Sequence, residues 1–242
     1  KPGATVELMH SLVDAGADIL EIGVPFSDPM ADGPVIQLAC ERALAHNTSM
    51  RDVLGMVKSF RETNNDTAVA LMGYLNPIEV MGYEVFAGLC NDSGLDAVLI
   101  VDMPPEESAD LTAALKVYNI QTIYLLAPTT PDARATTICA HGEGYLYYVS
   151  VKGVTGSAAL DIDDVTANLA RIRSKTKIPL AVGFGIKDGS TAAAVAEVAD
   201  AVIVGSALVK CVERNPEDIS LIKKEMSEIL SEMRTAMDAV SQ

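Results

Sequence analysis

The sequence predicts a parallel β/α fold closed into a barrel, on three observations. Short apolar runs alternate with longer Ala-rich stretches of helical period, seven times over, with no hairpin signal between successive runs. The runs are apolar almost throughout, as strands buried on both faces of a sheet must be. At 242 residues the chain also matches the roughly 250 residues of a β/α barrel.

In chain order, strands are expected at 18–24, 68–74, 97–101, 122–127, 145–150, 180–183 and 201–204. Helical patterns occupy 5–15, 49–61, 107–118, 131–140, 163–174, 190–198 and 219–240. No linker or low-complexity segment divides them, so residues 1–242 are expected to form a single β/α barrel domain. A doubly wound open sheet tolerates seven strands, whereas a closed barrel wants eight. The preferred reading is a (β/α)8 TIM barrel whose first strand and preceding helix are not in this sequence. An opening between the second and eighth barrel strands, with two exposed sheet edges, would follow.

Composition narrows the function. Hydrophobic residues make up 49% and charged residues 21%, enough for a large core and too apolar for disorder. With 5% aromatics and no Trp, burial must come from Ala, Val, Ile, Leu and Met; Met226, Met233 and Met237 read as core filler. A net charge of −15 argues against nucleic acid or an anionic membrane as a partner. It also means that a phosphorylated ligand would need a local binding device. Cys40, Cys90, Cys139 and Cys211, with His10, His46 and His141, show no metal-ligand spacing and read as reduced thiols and scattered imidazoles. No apolar stretch reaches the roughly 18 residues of a membrane span, and Lys1-Pro2-Gly3 does not begin a signal peptide. A soluble cytoplasmic enzyme is the expected class.

Glu21, in Asp18-Ile-Leu-Glu-Ile-Gly-Val24, is the first candidate catalytic residue. A carboxylate inside an apolar strand is costly unless paired or protonated, and none of the seven runs contains a basic residue. It is either satisfied by water or backbone donors, or an acid/base with a raised pKa. The loop that follows, Val24-Pro-Phe-Ser-Asp-Pro-Met-Ala-Asp-Gly-Pro34, is stiffened by Pro25, Pro29 and Pro34 and carries Asp28 and Asp32. It lies at the C-terminal end of a strand, where β/α barrels do their chemistry. Asp32 before Gly33-Pro34 is also an ordinary turn; with Glu21 it could divide proton donation and acceptance.

The phosphate device is expected near the C-terminus. One strand ends in Gly183-Phe-Gly185, and the next in Gly205-Ser206, where a short helical turn opens. Glycine lets the main chain approach an anion, and helix N-terminal N–H groups bind it without side-chain charge. The small-residue segment Ser150-Val-Lys-Gly-Val-Thr-Gly156 has Gly153 and Gly156 as hinges of a lid; Lys152 there either meets phosphate or is solvated. Tyr74 and Asp102 put polar groups at strand ends, and could equally be a core tyrosine with a satisfied hydroxyl and a capping residue.

Leu20-Glu-Ile-Gly-Val-Pro-Phe-Ser-Asp-Pro-Met-Ala-Asp-Gly-Pro34 closely resembles the signature of tryptophan synthase α chains. The resemblance continues through 71–76, 98–104, Gly153-Val-Thr-Gly156, Gly183-Phe-Gly185 and Gly205-Ser206, nearly the whole chain. It implies a carbon–carbon lyase of L-tryptophan biosynthesis that splits indole-3-glycerol phosphate into indole and glyceraldehyde 3-phosphate by retro-aldol cleavage. By resemblance Glu21 shuttles the protons and Asp32 holds the indole N–H. Tyr147 matches a family tyrosine near Glu21, and Thr155 a threonine that orients Asp32. Phosphate would sit on main-chain N–H groups near Gly156, Gly185, Gly205 and Ser206. Leu99, Phe184 and Ile203 would wall the indole, with Tyr74 and Asp102 also at the substrate. Cys40 stands where some relatives have Asn, which removes a hydrogen bond to the lid.

The resemblance further implies a partner: a β subunit in an α2β2 heterotetramer, carrying pyridoxal phosphate, with no cofactor in this chain. Pro25, Asp28 and Pro104 resemble the docking surface. The alternatives are a stand-alone lyase releasing free indole and a non-catalytic chain that only activates a β subunit.

Overall fold

The computed structural model describes residues 2–150, 161–183 and 185–240. Seven strands are hydrogen-bonded in sequence order and every pair is parallel: β1 Ile19–Gly23, β2 Ala68–Gly73, β3 Ala97–Ile100, β4 Gln121–Leu126, β5 Leu146–Val149, β6 Leu180–Gly183 and β7 Ala201–Ile203. Each expected strand is present within a residue or so of its predicted ends. Eleven α-helices accompany them among the described residues: α1 Thr5–Asp14, α2 Pro34–Leu44, α3 Met50–Arg61, α4 Leu75–Met81, α5 Tyr83–Ser93, α6 Ala109–Lys116, α7 Asp132–His141, α8 Ile162–Arg173, α9 Gly189–Ala196, α10 Ser206–Arg214 and α11 Ile219–Val240. The helices α2, α4 and α5 had not been expected, and α10 only as a turn.

The chain divides into two compact units, one running to Ile123 and the other starting at Tyr124, so the boundary falls inside β4. Each unit has its own apolar core between strands and helices. In the first, Leu20, Val69, Leu71, Val98 and Ile100 meet Val53, Val57, Phe60, Phe86 and Leu111. In the second, Tyr124, Leu126, Leu146, Tyr148, Leu180 and Val182 meet Ile138, Val165, Leu169, Val195 and Met233.

Strand alternation sends the remaining residues to the opposite face of the sheet. In the first unit Glu21, Ala70 and Ala97 share a level, and Gly23, Met72 and Leu99 share the next. In the second, Tyr147, Ala181 and Ala201 share a level, then Val149, Gly183 and Ile203. Every one of these is absent from the helix-facing cores. Within each unit one face of the strands therefore packs on helices while the other carries the candidate chemistry.

The two units also tie down their strand starts in the same way. Asp96, just before β3, accepts the Val69 N–H at 2.7 Å and pairs with Arg61 at the end of α3 at 2.6 Å. Asp200, just before β7, accepts the Leu180 N–H at 2.8 Å and pairs with Arg173 at the end of α8 at 2.9 Å. Burial pushes the Asp200 carboxyl up, but the Arg173 and Leu180 donors outweigh it and hold it below its ordinary value.

Helix ends follow local rules. Ser49 and Asp52 form a capping box at α3, Asp161 caps α8, and Asp188 caps α9 with Thr191 reciprocating. Pro34 sits in the first turn of α2, where its missing N–H costs nothing. Met226 and Met233 of α11 are buried, as core filler should be.

Candidate active site

Glu21 lies at the centre of β1, half-buried, on the face turned away from the Leu20 and Ile22 side. Its neighbours at the same level, Ala70 and Ala97, offer only methyl groups. Leu99, one level closer to the strand C-terminal ends, is fully buried and shares that face. A carboxylate, two small neighbours and an apolar wall thus occur together within the first unit.

The loop after β1 brings up the second carboxylate. Val24 N–H bonds to Met72 O at 2.8 Å and extends the strand register by one residue. Beyond it, Met30 N–H bonds to Asp28 O at 2.8 Å and Asp32 N–H to Pro29 O at 3.0 Å, so the proline-rich segment folds on itself. Gln37, on α2, donates from Nε2 to Asp32 O at 2.8 Å. Tyr74, at the C-terminal end of β2, donates from its hydroxyl to Asp32 Oδ2 at 2.7 Å and accepts the Ala31 N–H at 3.0 Å. The Tyr74 ring stacks on Phe26 with centroids 5.1 Å apart.

Burial raises the Asp32 carboxyl above its ordinary pKa of 3.8, and the Tyr74 hydroxyl only partly offsets it. Burial also raises the Tyr74 phenol, with Asp32 adding to the shift. The Cys40 thiol, on α2, is likewise raised by burial; a Phe26 backbone hydrogen bond pulls it down and the Asp32 charge pushes it up. Asp32, Tyr74 and Cys40 therefore sense one another electrostatically.

A carboxyl whose pKa is raised on folding holds its proton more tightly when folded, so ionising it costs stability. The cost is absent below the ordinary value of 3.8 and complete once the pH exceeds the raised one. Asp32→Asn is accordingly expected to raise Tm at neutral pH, by no more than about 1 kcal/mol of stability given solvent screening. Its advantage over the parent should vanish as the pH falls through the carboxylate range. Parallel melting curves at pH 7 and pH 4 check it, and an unchanged or lower Tm at pH 7 contradicts it.

The remaining first-unit candidates sit at the same strand ends. Asp102, exposed, accepts the Leu75 N–H at 2.8 Å through Oδ1, which fastens the start of α4 to the end of β3. Of the two readings left open for Asp102, the capping one describes this bond. For Tyr74 it is the satisfied hydroxyl. Pro25 and Pro104 are partly exposed, and Asp28 is exposed with Ser27 Oγ donating to it at 2.6 Å. Met30 and Val80, which the sequence reading passed over, are 79% and 84% exposed on the loop after β1 and on α4.

In the second unit Tyr147 is 9% exposed and lies over Gly183. A Cβ built on Gly183 would come 2.7 Å from Tyr147 Cε1 and closer still to the hydroxyl, so the ring occupies the space a side chain would need. Ser150 fastens the end of β5 to β6, its N–H and Oγ both donating to Gly183 O at 3.2 and 2.9 Å. Gly185 follows with φ +80°, a conformation that side chains resist.

Gly205 and Ser206 are exposed at the N-terminus of α10, where Gly205 is the N-cap and no side chain caps the helix. The contrast with α8 and α9, capped by Asp161 and Asp188, is chemical. An acidic cap occupies the N–H groups an anion would use, and its charge would repel the anion; at α10 neither applies. Ile203, at the end of β7, shares a level and face with Gly183. Thr155, Gly156 and Phe184, with Lys152 and Gly153, lie outside the described residues.

The sequence reading missed Phe26, Ala31 and Gln37, which hold the Asp32 loop; its density of prolines was the available signal. Among the described residues no group of three His, Cys, Asp or Glu could hold a metal ion. No described helix is long and apolar enough to cross a membrane.

Known proteins place this geometry in a family. Residues 1–238 match the family model described as tryptophan synthase alpha chain. The tryptophan synthase alpha chain of Thioalkalivibrio sulfidiphilus is 57% identical over 237 residues, 98% of this chain and 89% of the relative. The crystal structure of tryptophan synthase subunit alpha from Legionella pneumophila superposes with a TM-score of 0.91 at 46% identity, covering 98% of this chain and 88% of that one. A structure of the tryptophan synthase a2b2 complex from Pyrococcus furiosus, described as showing mutual activation, gives 0.87 at 33% identity, covering 96% and 92%. Identity this high over nearly the whole chain carries the fold class with it, a TIM barrel, with seven parallel strands among the described residues, and the chain belongs to the tryptophan synthase alpha chain family.

Proposed function

We propose that this chain cleaves indole-3-glycerol phosphate to indole and glyceraldehyde 3-phosphate, as the α subunit of a complex with a β subunit. The observation that carries the reading is a carboxylate inside an apolar strand, Glu21, followed in the next loop by a second carboxylate held in place, Asp32, in a chain matching the family over residues 1–238.

The chemistry asks for both groups. Breaking the bond between indole C3 and the hydroxyl-bearing carbon of the side chain sends its electron pair into the ring. C3 must gain a proton, while the side-chain hydroxyl loses one and becomes the aldehyde. Glu21 takes one proton and returns one, so no net proton, water or redox equivalent is consumed. Asp32 accepts the ring N–H and stabilises positive charge as it develops there. Tyr147 helps position the reacting side chain, and Leu99, Phe184 and Ile203 wall the indole. The phosphate rests on main-chain N–H groups at Gly156, Gly185, Gly205 and Ser206, which suits a chain with net charge −15 because no general attraction is needed.

The β partner would dock on the loops carrying Pro25, Asp28 and Pro104. Indole is apolar and would leak from a cell, which gives a physical reason for handing it directly to the partner; pyridoxal phosphate belongs to that partner. Four free cysteines fit the reducing cytoplasm.

The test is an indole-release assay on purified protein, with and without a β subunit. Cleavage that rises on adding the β subunit supports the full reading. Cleavage indifferent to it would favour a stand-alone lyase. No cleavage under either condition, with β-subunit turnover still stimulated, would favour a non-catalytic activator.

A further inference from the structure

We propose that Tyr74 is a positioning residue for this cleavage, holding the Asp32 carboxylate and its loop in the one orientation that meets the indole N–H. The inference rests on the lyase reading above and assigns Tyr74 a different task from contacting substrate.

The hydroxyl is already committed. Its single proton goes to Asp32 Oδ2 at 2.7 Å, and it accepts the Ala31 N–H at 3.0 Å. One oxygen atom therefore grips both one carboxylate oxygen and the main chain beside it. With 4% exposure, Tyr74 has little surface to offer a ligand.

The grip is itself braced. Phe26, from the same loop, lies against the Tyr74 ring. The backbone just after Tyr74 is held by Asp102, whose carboxylate takes the Leu75 N–H at 2.8 Å. A continuous chain thus runs from the end of β3, through the start of α4, to Asp32. Its members touch only by folding, since Tyr74 and Asp32 are 42 positions apart. Loop carboxylates left to themselves sample several orientations, and a small misplacement is expensive in rate.

The titratable groups around Asp32 are Tyr74, from the end of β2, and Cys40, from α2. Removing the Tyr74 hydroxyl deletes the bond that lowers the Asp32 pKa while burial remains, so the acid limb of the pH profile should move upward.

Tyr74→Phe keeps the ring stack and removes both hydrogen bonds. In the complex with a β subunit, kcat for indole release is expected to fall roughly 10- to 100-fold, with KM changed much less and the acid limb of kcat/KM shifted to higher pH. In an Asp32→Asn background the same change should cost almost nothing further, because Tyr74 then has no carboxylate to hold. Equal kcat and an unmoved acid limb in a folded Tyr74→Phe protein overturn the proposal. So does a rise confined to KM, which would mean substrate contact, or a full second loss in the Asp32→Asn background. Should Tyr74→Phe fail to fold, Phe26→Leu, which loosens the same ring while keeping the hydroxyl, is expected to show a smaller fall in kcat, and an unaltered kcat overturns the proposal. A parent protein that releases no indole sinks the lyase reading itself; cleavage by parent and variant alike sinks only the role of Tyr74.

Discussion

Glu21→Gln is expected to lower indole-3-glycerol phosphate cleavage by roughly 10²–10⁴-fold, the usual worth of a positioned acid/base, while affinity for the β subunit stays nearly unchanged. Glutamine has the shape of glutamate and can hydrogen-bond, but it cannot take a proton and return it. The substitution sits within β1, whose pairing with β2 runs through the backbone, so the strand itself is not at risk. Steady-state indole release, partner titration and a melting curve together make the test. Retained cleavage would remove the acid/base role. Lost cleavage together with lost partner binding and a depressed Tm would point to misfolding.

The second large effect is expected in the other unit. Gly183→Ala places a methyl group against the Tyr147 ring, where the nearest ring carbons stand at 2.5 and 2.7 Å from the new atom. A buried aromatic ring cannot yield that much without leaving its site, so the strain should cost about 1–3 kcal/mol. In a chain of this length that is a fall of several degrees in Tm. The displaced phenol would also spoil cleavage, if Tyr147 helps position substrate as proposed. Adding Tyr147→Ala to Gly183→Ala should recover part of the stability lost by Gly183→Ala, since the obstacle is gone. A double-mutant cycle in Tm measures that coupling, and purely additive losses would refute the packing argument.

Glu21 was legible because it interrupts an apolar run, and a charge there announces itself by cost alone. Asp32 was legible only in company, since Asp before Gly-Pro is common in turns. The start of α10 is legible in Gly205-Ser206 as the opening of a short helical turn, because glycine at a helix start is a local property, whereas its lack of a side-chain cap is a finding of the structure. The partnership of Tyr74 with Asp32 could not be read, because nothing in either neighbourhood refers to the other. The same holds for Tyr147 and Gly183, whose fit depends on the register of β5 against β6.

Helices divided along similar lines. The span Ile219–Val240 was read to the residue, because a long apolar stripe at helical period needs no outside help. The unexpected α5 has Gly88 in its middle and Asn91-Asp92-Ser93 at its end, poor helix formers that hide the pattern. Its helicity comes from burying Phe86, Ala87 and Cys90 in the first unit's core. For α2, with no fully buried residue, the Pro34 start was the overlooked signal.

What the amino-acid order determined unaided was the alternation of buried strands and helices, the acidic balance, and the presence of a carboxylate within an apolar strand. These rest on hydrophobic period and desolvation cost, which act over a few neighbouring residues. Only the tertiary structure decided which side chains meet: Tyr74 with Asp32, Asp102 with Leu75, Tyr147 with Gly183. Such pairings arise when parallel strands set their register, bringing together atoms that dozens of intervening residues keep apart in the chain.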